Sequence, residues 1–175
     1  MLDNLFFATT LFLFVALLLF ALILISMLFF GAPFDPSSSK SLRKMIKLAK
    51  VKKGDKVADL GSGNGKVVIA FAKLPKVKEV HGFEINPFLV LFSRMRIRKL
   101  GLEHKAKIHW RNFWTQNLRD FDVITVFQIH YVMEKLGNKL KKELNKNARI
   151  VSNLWKFPNL KLKKADGEVR LYSVN

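Results

Sequence analysis

A chain of 175 residues has room for one membrane segment and one compact domain, which excludes a second catalytic domain. It contains no cysteine, so disulfide frameworks and thiolate metal sites are excluded, and its four histidines, His81, His104, His109 and His130, show no ligand spacing; no metal site is expected. The formal net charge of +18 is built entirely after residue 39, because no lysine or arginine precedes Lys40, and that asymmetry points to anionic lipid, nucleic acid or an acidic partner.

From Leu5 to Phe30 the sequence carries no charge and is almost wholly Leu, Phe, Ile, Val and Ala. As a helix it would be roughly 39 Å long against a hydrocarbon core of about 30 Å. Large apolar residues each contribute on the order of −0.3 to −0.6 kcal/mol at mid-membrane, so Ser26 and the threonines do not reverse insertion. A cleaved signal peptide is the rival reading. It asks for a basic start, a shorter apolar run and a small-residue cleavage site, whereas this chain begins Met-Leu-Asp-Asn. Residues 1–31 are therefore expected to form an uncleaved transmembrane anchor. Lys40, Arg43, Lys44, Lys47, Lys50, Lys52 and Lys53 crowd its C-terminal flank, and Asp3 is the one charged side chain before it. The positive-inside rule then gives a single-pass membrane protein whose globular part faces the cytoplasm.

Residues 32–53 read as a connector and a basic amphipathic helix. The stretch Gly31-Ala-Pro-Phe-Asp-Pro-Ser-Ser-Ser39 stops one helix with proline and offers serine caps to the next. Leu42, Met45, Ile46 and Ala49 then recur at helical spacing over Ser39–Lys50, opposite lysine and arginine. That basic face is either a solvated surface or a contact with anionic lipid, where each basic residue contributes about 1 kcal/mol.

Residues 54–175 are expected as one domain in which strands and helices alternate. The strands are read at Lys56–Leu60, Glu79–Ile85, Ala106–Trp110, Phe121–Phe127 and Arg149–Asn153, with helices ending near Leu74, Leu100 and Asn145. Strands separated by helical patterns specify a parallel sheet with crossover helices, an α/β fold. Leu160-Lys-Leu-Lys and Val169-Arg-Leu-Tyr-Ser-Val, flanking Ala165-Asp-Gly-Glu168, specify a C-terminal antiparallel hairpin.

The chemistry-bearing motif is Asp59-Leu-Gly-Ser-Gly-Asn-Gly65, between the first strand and its helix. Such glycine loops bring backbone close to a ligand at the C-terminal ends of strands. A P-loop fails at two positions, because Leu60 stands where its first glycine belongs and Val67 follows Lys66. A dinucleotide loop fails because the third glycine arrives one residue early, at Gly65. An acid two residues before GxGxG fits S-adenosylmethionine (SAM), which has an amino-acid end, a ribose diol and an adenine but no pyrophosphate. Asp59, Gly61, Ser62, Gly63 and Gly65 are the loop candidates, and Glu84, ending the second strand, can accept both ribose hydroxyls.

Further segments carry a resemblance. Pro33-Phe-Asp-Pro-Ser37 precedes the domain, Asp59-Leu-Gly-Ser-Gly-Asn-Gly-Lys66 is similar to a DLGSGDGR loop, and Gly82-Phe-Glu-Ile-Asn-Pro87 with Leu89-Val90 and Ser93-Arg94 is similar to a GYELNPWLV segment with a trailing Ser-Arg. Asn112-Phe-Trp114 resembles an Asp-Leu-Trp after the third strand. From Pro33 to about Phe157 the chain resembles the membrane-anchored seven-β-strand lysine methyltransferases that modify the ATP synthase c subunit and the adenine nucleotide translocase, which have prokaryotic relatives. The resemblance implies a Rossmann-like SAM methyltransferase domain after a single N-terminal span, and it adds Asn86, Asn112 and Phe113 to the cofactor-binding candidates. Asn64 and Asn112 stand where the family usually has aspartate, and Phe88 where it has tryptophan. An amide oxygen can still accept from the adenine amine.

The substrate implied is a lysine, in a membrane or membrane-associated protein. Phe127-Gln-Ile-His-Tyr131 lacks the Asn/Asp-Pro-Pro-aromatic motif of adenine and glutamine methyltransferases. Trp114, Tyr131, Trp155 and Phe157, after the third to fifth strands, are aromatic residues able to wall a lysine cleft, and His130 could take a proton. The catalytic candidates are Tyr131, His130 and Trp155. The cluster Arg94, Arg96, Arg98 and Lys99 admits nucleic acid, against which a membrane anchor argues; methylation of a lipid or small membrane molecule, and a non-catalytic partner module on the same fold, stand as alternatives.

Overall fold

The computed structural model describes residues 2–30 and 38–174, with the side chains of the first helix described from residue 6 to residue 22. Residues 31–37, which hold most of the expected connector and its proline motif, lie outside the described residues. The chain divides into two compact units, Met1–Pro33 and Phe34–Asn175.

The first unit is one helix, α1 (Leu2–Phe30), 29 residues long. The hydroxyls of Thr9 and Thr10 both turn back onto the Phe6 carbonyl, at 2.9 and 2.8 Å, so their polarity is satisfied inside the helix. Among the described residues no helix is long and apolar enough to cross a membrane. The part of α1 with described side chains is shorter than the roughly 20 residues a span requires. The transmembrane part of the expected fold thus rests on the sequence alone.

The second unit is built on a seven-stranded sheet. Its strands are β1 (Asp55–Leu60), β2 (Val77–Glu84), β3 (Ala106–Trp110), β4 (Val123–Val126), β5 (Arg149–Asn153), β6 (Lys161–Asp166) and β7 (Val169–Ser173), in the order β3-β2-β1-β4-β5-β7-β6. The first five run parallel, and β7 enters antiparallel to β5 with β6 outside it. This is the Rossmann-like arrangement of crossover units closed by a hairpin. The hairpin turn is tighter than the sequence suggests, only Gly167 and Glu168, because Gly167 adopts φ 63°.

The strands read as continuous apolar runs because both faces of the sheet are covered. On one face α2 (Ser39–Ala49), α3 (Lys66–Ala72) and α4 (Pro87–Lys99) pack on Val57, Val80, Ile108, Val123, Val151 and Leu171. The alternate residues Ala58, Phe83, Ile124, Ile150 and Tyr172 meet Met133, Leu136 and Leu140 of α5 (Met133–Glu143) on the other. Two expected elements come out shorter. β4 loses Phe121, which instead turns its ring against Phe83 and His81, and α5 begins only after a 3-10 turn at His130–Val132. The connection from β3 to β4 holds a single 3-10 turn, Phe113–Thr115, so His81 and His109 are half-buried on that face and approach to 3.1 Å.

Helix α2 is capped by the Ser38 hydroxyl on the Ser41 amide and ends with Lys50 in the left-handed region, φ 44°. Met45, Leu48 and Ala49 are buried in the same core as the sheet, with Leu42 and Ile46 packed beside them. Two cationic side chains tie it down. Lys44 pairs with Asp166 at 2.8 Å, and Arg149 of β5 donates to the carbonyls of Ala49 and Lys50 while pairing at 2.7 Å with the buried Asp55.

Because Arg149→Met leaves the Asp55 carboxylate buried beside a lost cation, it should destabilise the fold by about 3 kcal/mol. Asp55→Asn combined with Arg149→Met should lose clearly less than the sum of the single changes, measured by urea unfolding followed by circular dichroism.

Candidate active site

The C-terminal ends of β1, β2 and β4 lie side by side at one end of the sheet. Strand alternation turns Asp59, Thr125 and Glu84 toward the face that carries α3 and α4. Asp59 lies opposite Thr125 in the β1–β4 ladder, and the Thr125 hydroxyl donates to its Oδ1 at 2.6 Å. Asp59 is buried, and burial, only partly offset by that hydrogen bond and reinforced by the nearby charge of Glu84, pushes its carboxyl up to about 7.

The glycine loop is bound to the end of β2. The amides of Gly61 and Ser62 donate to the Phe83 carbonyl, at 2.9 and 3.1 Å, and the Gly63 amide donates to Glu84 Oε2 at 2.8 Å. The other oxygen of Glu84 accepts from the amides of Ile85 and Asn86, each at 2.9 Å. One buried carboxylate thus holds the loop and the start of the next segment together. Two glycines are dictated by these contacts. At Gly61, φ 78°, a Cβ would collide with the Gln128 amide, and at Gly82 a Cβ would stand 2.7 Å from Ser62 and from Ile108.

Helix α4 buttresses the loop from outside. Ser93, fully buried, lies with its hydroxyl 2.8 Å from the Gly63 carbonyl and 2.7 Å from that of Leu89, and Arg96 donates to the Asn64 carbonyl at 2.7 Å. Arg94 places two donors on the Ile108 carbonyl, at 3.0 and 2.8 Å. Half of the arginine and lysine cluster considered for nucleic acid is therefore engaged within the domain. Asn86 turns its side-chain oxygen to the amides of Phe88 and Leu89, capping α4 ahead of Pro87. Asn112 does the same for the turn after β3, accepting from the Trp114 amide at 3.0 Å. Phe113 packs against Trp114, ring centroids 5.0 Å apart. The Arg111 amide joins this segment to the Glu84 carbonyl at 3.0 Å.

The three residues singled out for catalysis come together after β4 and β5. The His130 ring lies 5.5 Å from that of Tyr131 and 5.1 Å from that of Trp155. Tyr131 is 71% exposed and Trp155 38%. Trp155 follows Leu154 at φ 68°, a conformation that costs a bulky residue about 1–2 kcal/mol. The surroundings hold it there: the Leu154 amide donates to the Glu168 carbonyl at 3.0 Å, Arg170 donates to the Leu154 carbonyl at 2.7 Å, and the Ser152 hydroxyl donates to the Trp155 carbonyl. Phe157 does not join this cluster. It is buried edge-on against Tyr172, because the chain returns to the core to enter the hairpin. Trp114 is half-buried, with the Lys135 ammonium 5.3 Å from its ring centroid.

Sequence reasoning passed over three participants. Thr125 had a signal, a hydroxyl inside an otherwise apolar strand. Gln128, whose side-chain amide donates to the Leu60 carbonyl at 3.0 Å, and Ser93, as the support of the loop, depend on which helix and strand end become neighbours.

The cradle suits the ligand parts expected from the motif. It offers a buried carboxylate at Asp59, a second carboxylate bonded to the glycine loop at Gly63, and a polar turn at Asn112 beside it. An ammonium beside Asp59 favours the ionised carboxylate, whose pKa of about 7 lies above its ordinary value, so ligand binding below that pH releases a proton. Affinity for S-adenosylhomocysteine should therefore rise with pH, by up to about tenfold per unit below about pH 6, bend near pH 7 and level off by about pH 8. Asp59→Asn, which keeps the Thr125 hydrogen bond, should bind more weakly and with a flat profile; calorimetry in buffers of different ionisation heat measures both.

Comparison with known proteins places this geometry. A family profile described as the ANTKMT methyltransferase domain matches residues 59–164. The chain is 33% identical over 127 residues to the ATP synthase c-subunit lysine N-methyltransferase of Homo sapiens, covering 73% of this chain and 53% of that protein. It is 35% identical over 141 residues to a protein-lysine N-methyltransferase of Saccharolobus islandicus, covering 78% of this chain and 88% of that one. The chain thus spans about half the length of the ATP synthase c-subunit methyltransferases it matches. Among solved structures, an RNA methyltransferase from Salinibacter ruber in complex with S-adenosyl-L-homocysteine superposes with a TM-score of 0.72 at 23% identity, over 79% of this chain and 91% of that one, a likeness of fold. A profile match over residues 59–164, which takes in the glycine loop and the Glu84 that clamps it at the head of the seven-stranded mixed sheet, makes this chain a member of the ANTKMT-type family of SAM-dependent methyltransferases.

Proposed function

We propose that the chain is a SAM-dependent protein-lysine N-methyltransferase acting on a membrane or membrane-associated protein. The observation that carries this reading is the juxtaposition, on one end of the sheet, of the Asp59–Gly65 loop held by Glu84 and the open cluster of His130, Tyr131 and Trp155. The identity to protein-lysine methyltransferases supports the choice of lysine. When bound, SAM supplies an electrophilic methyl group on a sulfonium.

In this proposal Asp59 and the backbone of Gly61, Ser62, Gly63 and Gly65 receive the amino-acid end of the cofactor, and Glu84 receives the ribose diol. Asn112 and Phe113 border the adenine. Asn86 acts by fixing the backbone after Glu84, since its side-chain oxygen is the cap of α4. The obstacle on the substrate side is protonation. With a free pKa near 10.4, about one lysine in a few thousand is neutral at pH 7, equivalent to roughly 4–5 kcal/mol. An apolar, electropositive cleft lowers that pKa, and a chain of net charge +18 with exposed aromatic rings provides both conditions. In this proposal Trp155 and Tyr131 flank the lysine stem and His130 takes its proton.

The membrane part of the proposal is supported by the charge-free run from Leu5 to Phe30 and the lysines and arginines that follow it. Residues 1–31 serve as a single-pass anchor and the methyltransferase domain faces the cytoplasm, with the basic residues that follow the anchor near anionic lipid.

Membranes containing the protein and incubated with methyl-labelled SAM should carry label in a protein band that resists RNase and solvent extraction; label confined to extracted lipid would refute the lysine assignment. Trp155→Ala should lower kcat/KM by about 10- to 100-fold with cofactor affinity within about twofold, the signature of a residue that holds substrate. Glu84→Gln should instead weaken cofactor binding by at least about tenfold. External protease reaching the domain in intact cells would contradict the orientation.

A further inference from the structure

Helix α4 is apolar on two sides, and only one is used. Val90 and Ile97 are buried against the sheet. Phe88, Leu91, Phe92 and Met95, spaced i, i+3, i+4 and i+7, lie on the opposite side and are 65%, 61%, 50% and 61% exposed. A helix that is apolar all round is normally enclosed. Among the described residues of the second unit, no other helix leaves such a run of large apolar side chains in water.

What flanks this stripe decides its partner. Arg94 and Arg98 border it on one side and Arg96 on the other, Lys99 follows Met95 one turn on, and the helix contains no acidic residue. The Arg96 guanidinium lies 5.7 Å from the Phe92 ring centroid, a cation held over the apolar edge. An apolar face collared by arginine and lysine is the composition of a helix that lies in the headgroup plane, its phenylalanines and leucines below and its cations at the phosphates. The chain as a whole supplies the matching long-range term, a net charge of +18, and the anchor proposed above for residues 1–31, on which this argument rests in part, would hold it at lipid.

We infer that the outer face of α4 is an interfacial membrane-binding surface, with Phe88, Leu91, Phe92 and Met95 entering an anionic bilayer surface and Arg98 and Lys99 contacting its headgroups. The consequence for the site follows from the contacts already described. Ser93 and Arg96 of α4 hold the glycine loop, so a docked α4 keeps that loop within about one helix diameter, roughly 10 Å, of the headgroups. A lysine close to the membrane surface is then the one within reach.

The absence of cysteine makes the test direct, because a single introduced thiol labels one site. Full-length Leu91→Cys and Met95→Cys carry an environment-sensitive fluorophore, with Lys163→Cys on the exposed face of β6 as the reference. The labelled chains are reconstituted into vesicles of equimolar phosphatidylserine and phosphatidylcholine or of phosphatidylcholine alone. In the anionic vesicles, labels at 91 and 95 should shift to the blue, lose roughly fivefold in iodide quenching, and be quenched by shallow spin-labelled lipid, with protection reduced by added salt. The label at 163 should show none of this. Labels at 91 and 95 as open to iodide as that at 163 would overturn the inference. So would protection that tracks protein density and ignores lipid charge, which would mark a second copy or another protein on the stripe. The readout concerns α4 alone, so a failure of the methyltransferase reading would leave it standing, and its own failure would leave that reading intact.

Discussion

The rest of the site depends on the Glu84 carboxylate and the three backbone amides that surround it. Gly63 donates from the loop, Ile85 and Asn86 from the segment beyond β2, and the group is buried at the end of its strand. A charged acceptor with several amide donors is among the stronger neutral-backbone contacts available, and it fixes two chain segments at once. Other choices follow from it. Gly82 has no Cβ because Ser62 has to sit against it, and Ser93 is small and polar because the Gly63 carbonyl faces α4. Asp59 is then enclosed between Thr125 and the loop, and its carboxyl rises to about 7 because water is excluded.

A second constraint acts just after the end of β5. Leu154 is held at positive φ by hydrogen bonds from Arg170 and to Glu168, both on the C-terminal hairpin. That links the antiparallel end of the sheet to the aromatic cluster, since the residue re-aimed by the turn is Trp155. The hairpin therefore completes the sheet and also sets where a side chain of the proposed lysine cleft stands. Backbone strain of this kind persists only where neighbours over-determine it.

Charge gives the molecule its remaining character. With 31 basic and 13 acidic residues in the whole chain, the second unit spends some of its cations internally: Arg94 on Ile108, Arg96 on Asn64, Arg149 on Asp55, and Lys44 on Asp166. In the readings proposed above, the exposed remainder favours a neutral lysine in the cleft and attraction to anionic lipid through the same field. Both effects weaken with salt, the second more steeply, because its charges are exposed.

Much of this was written in the order of residues. The alternation of apolar runs with helical spacing was enough for a parallel sheet with a closing hairpin, because strands covered on both faces can only be continuous apolar runs. Asp59, the glycines and Glu84 were legible as a pattern because alternate glycines and an acid one unit later are set by local order. The shortened β4 and the 3-10 turn before α5 were not, since Phe121 and His130 leave regular structure to reach partners far along the chain. Nor could spacing show that Phe157 is core while Trp155 is open, two residues apart, when a single turn at Leu154 separates their fates. By itself the sequence determined the element order, the loop with its acid, and the apolar and basic segments, all of which depend on near neighbours. Only the tertiary structure decided that Thr125 holds Asp59, that Ser93 and Arg96 hold the loop, and that one apolar face of α4 is left outside, because those outcomes depend on which distant surfaces are brought together.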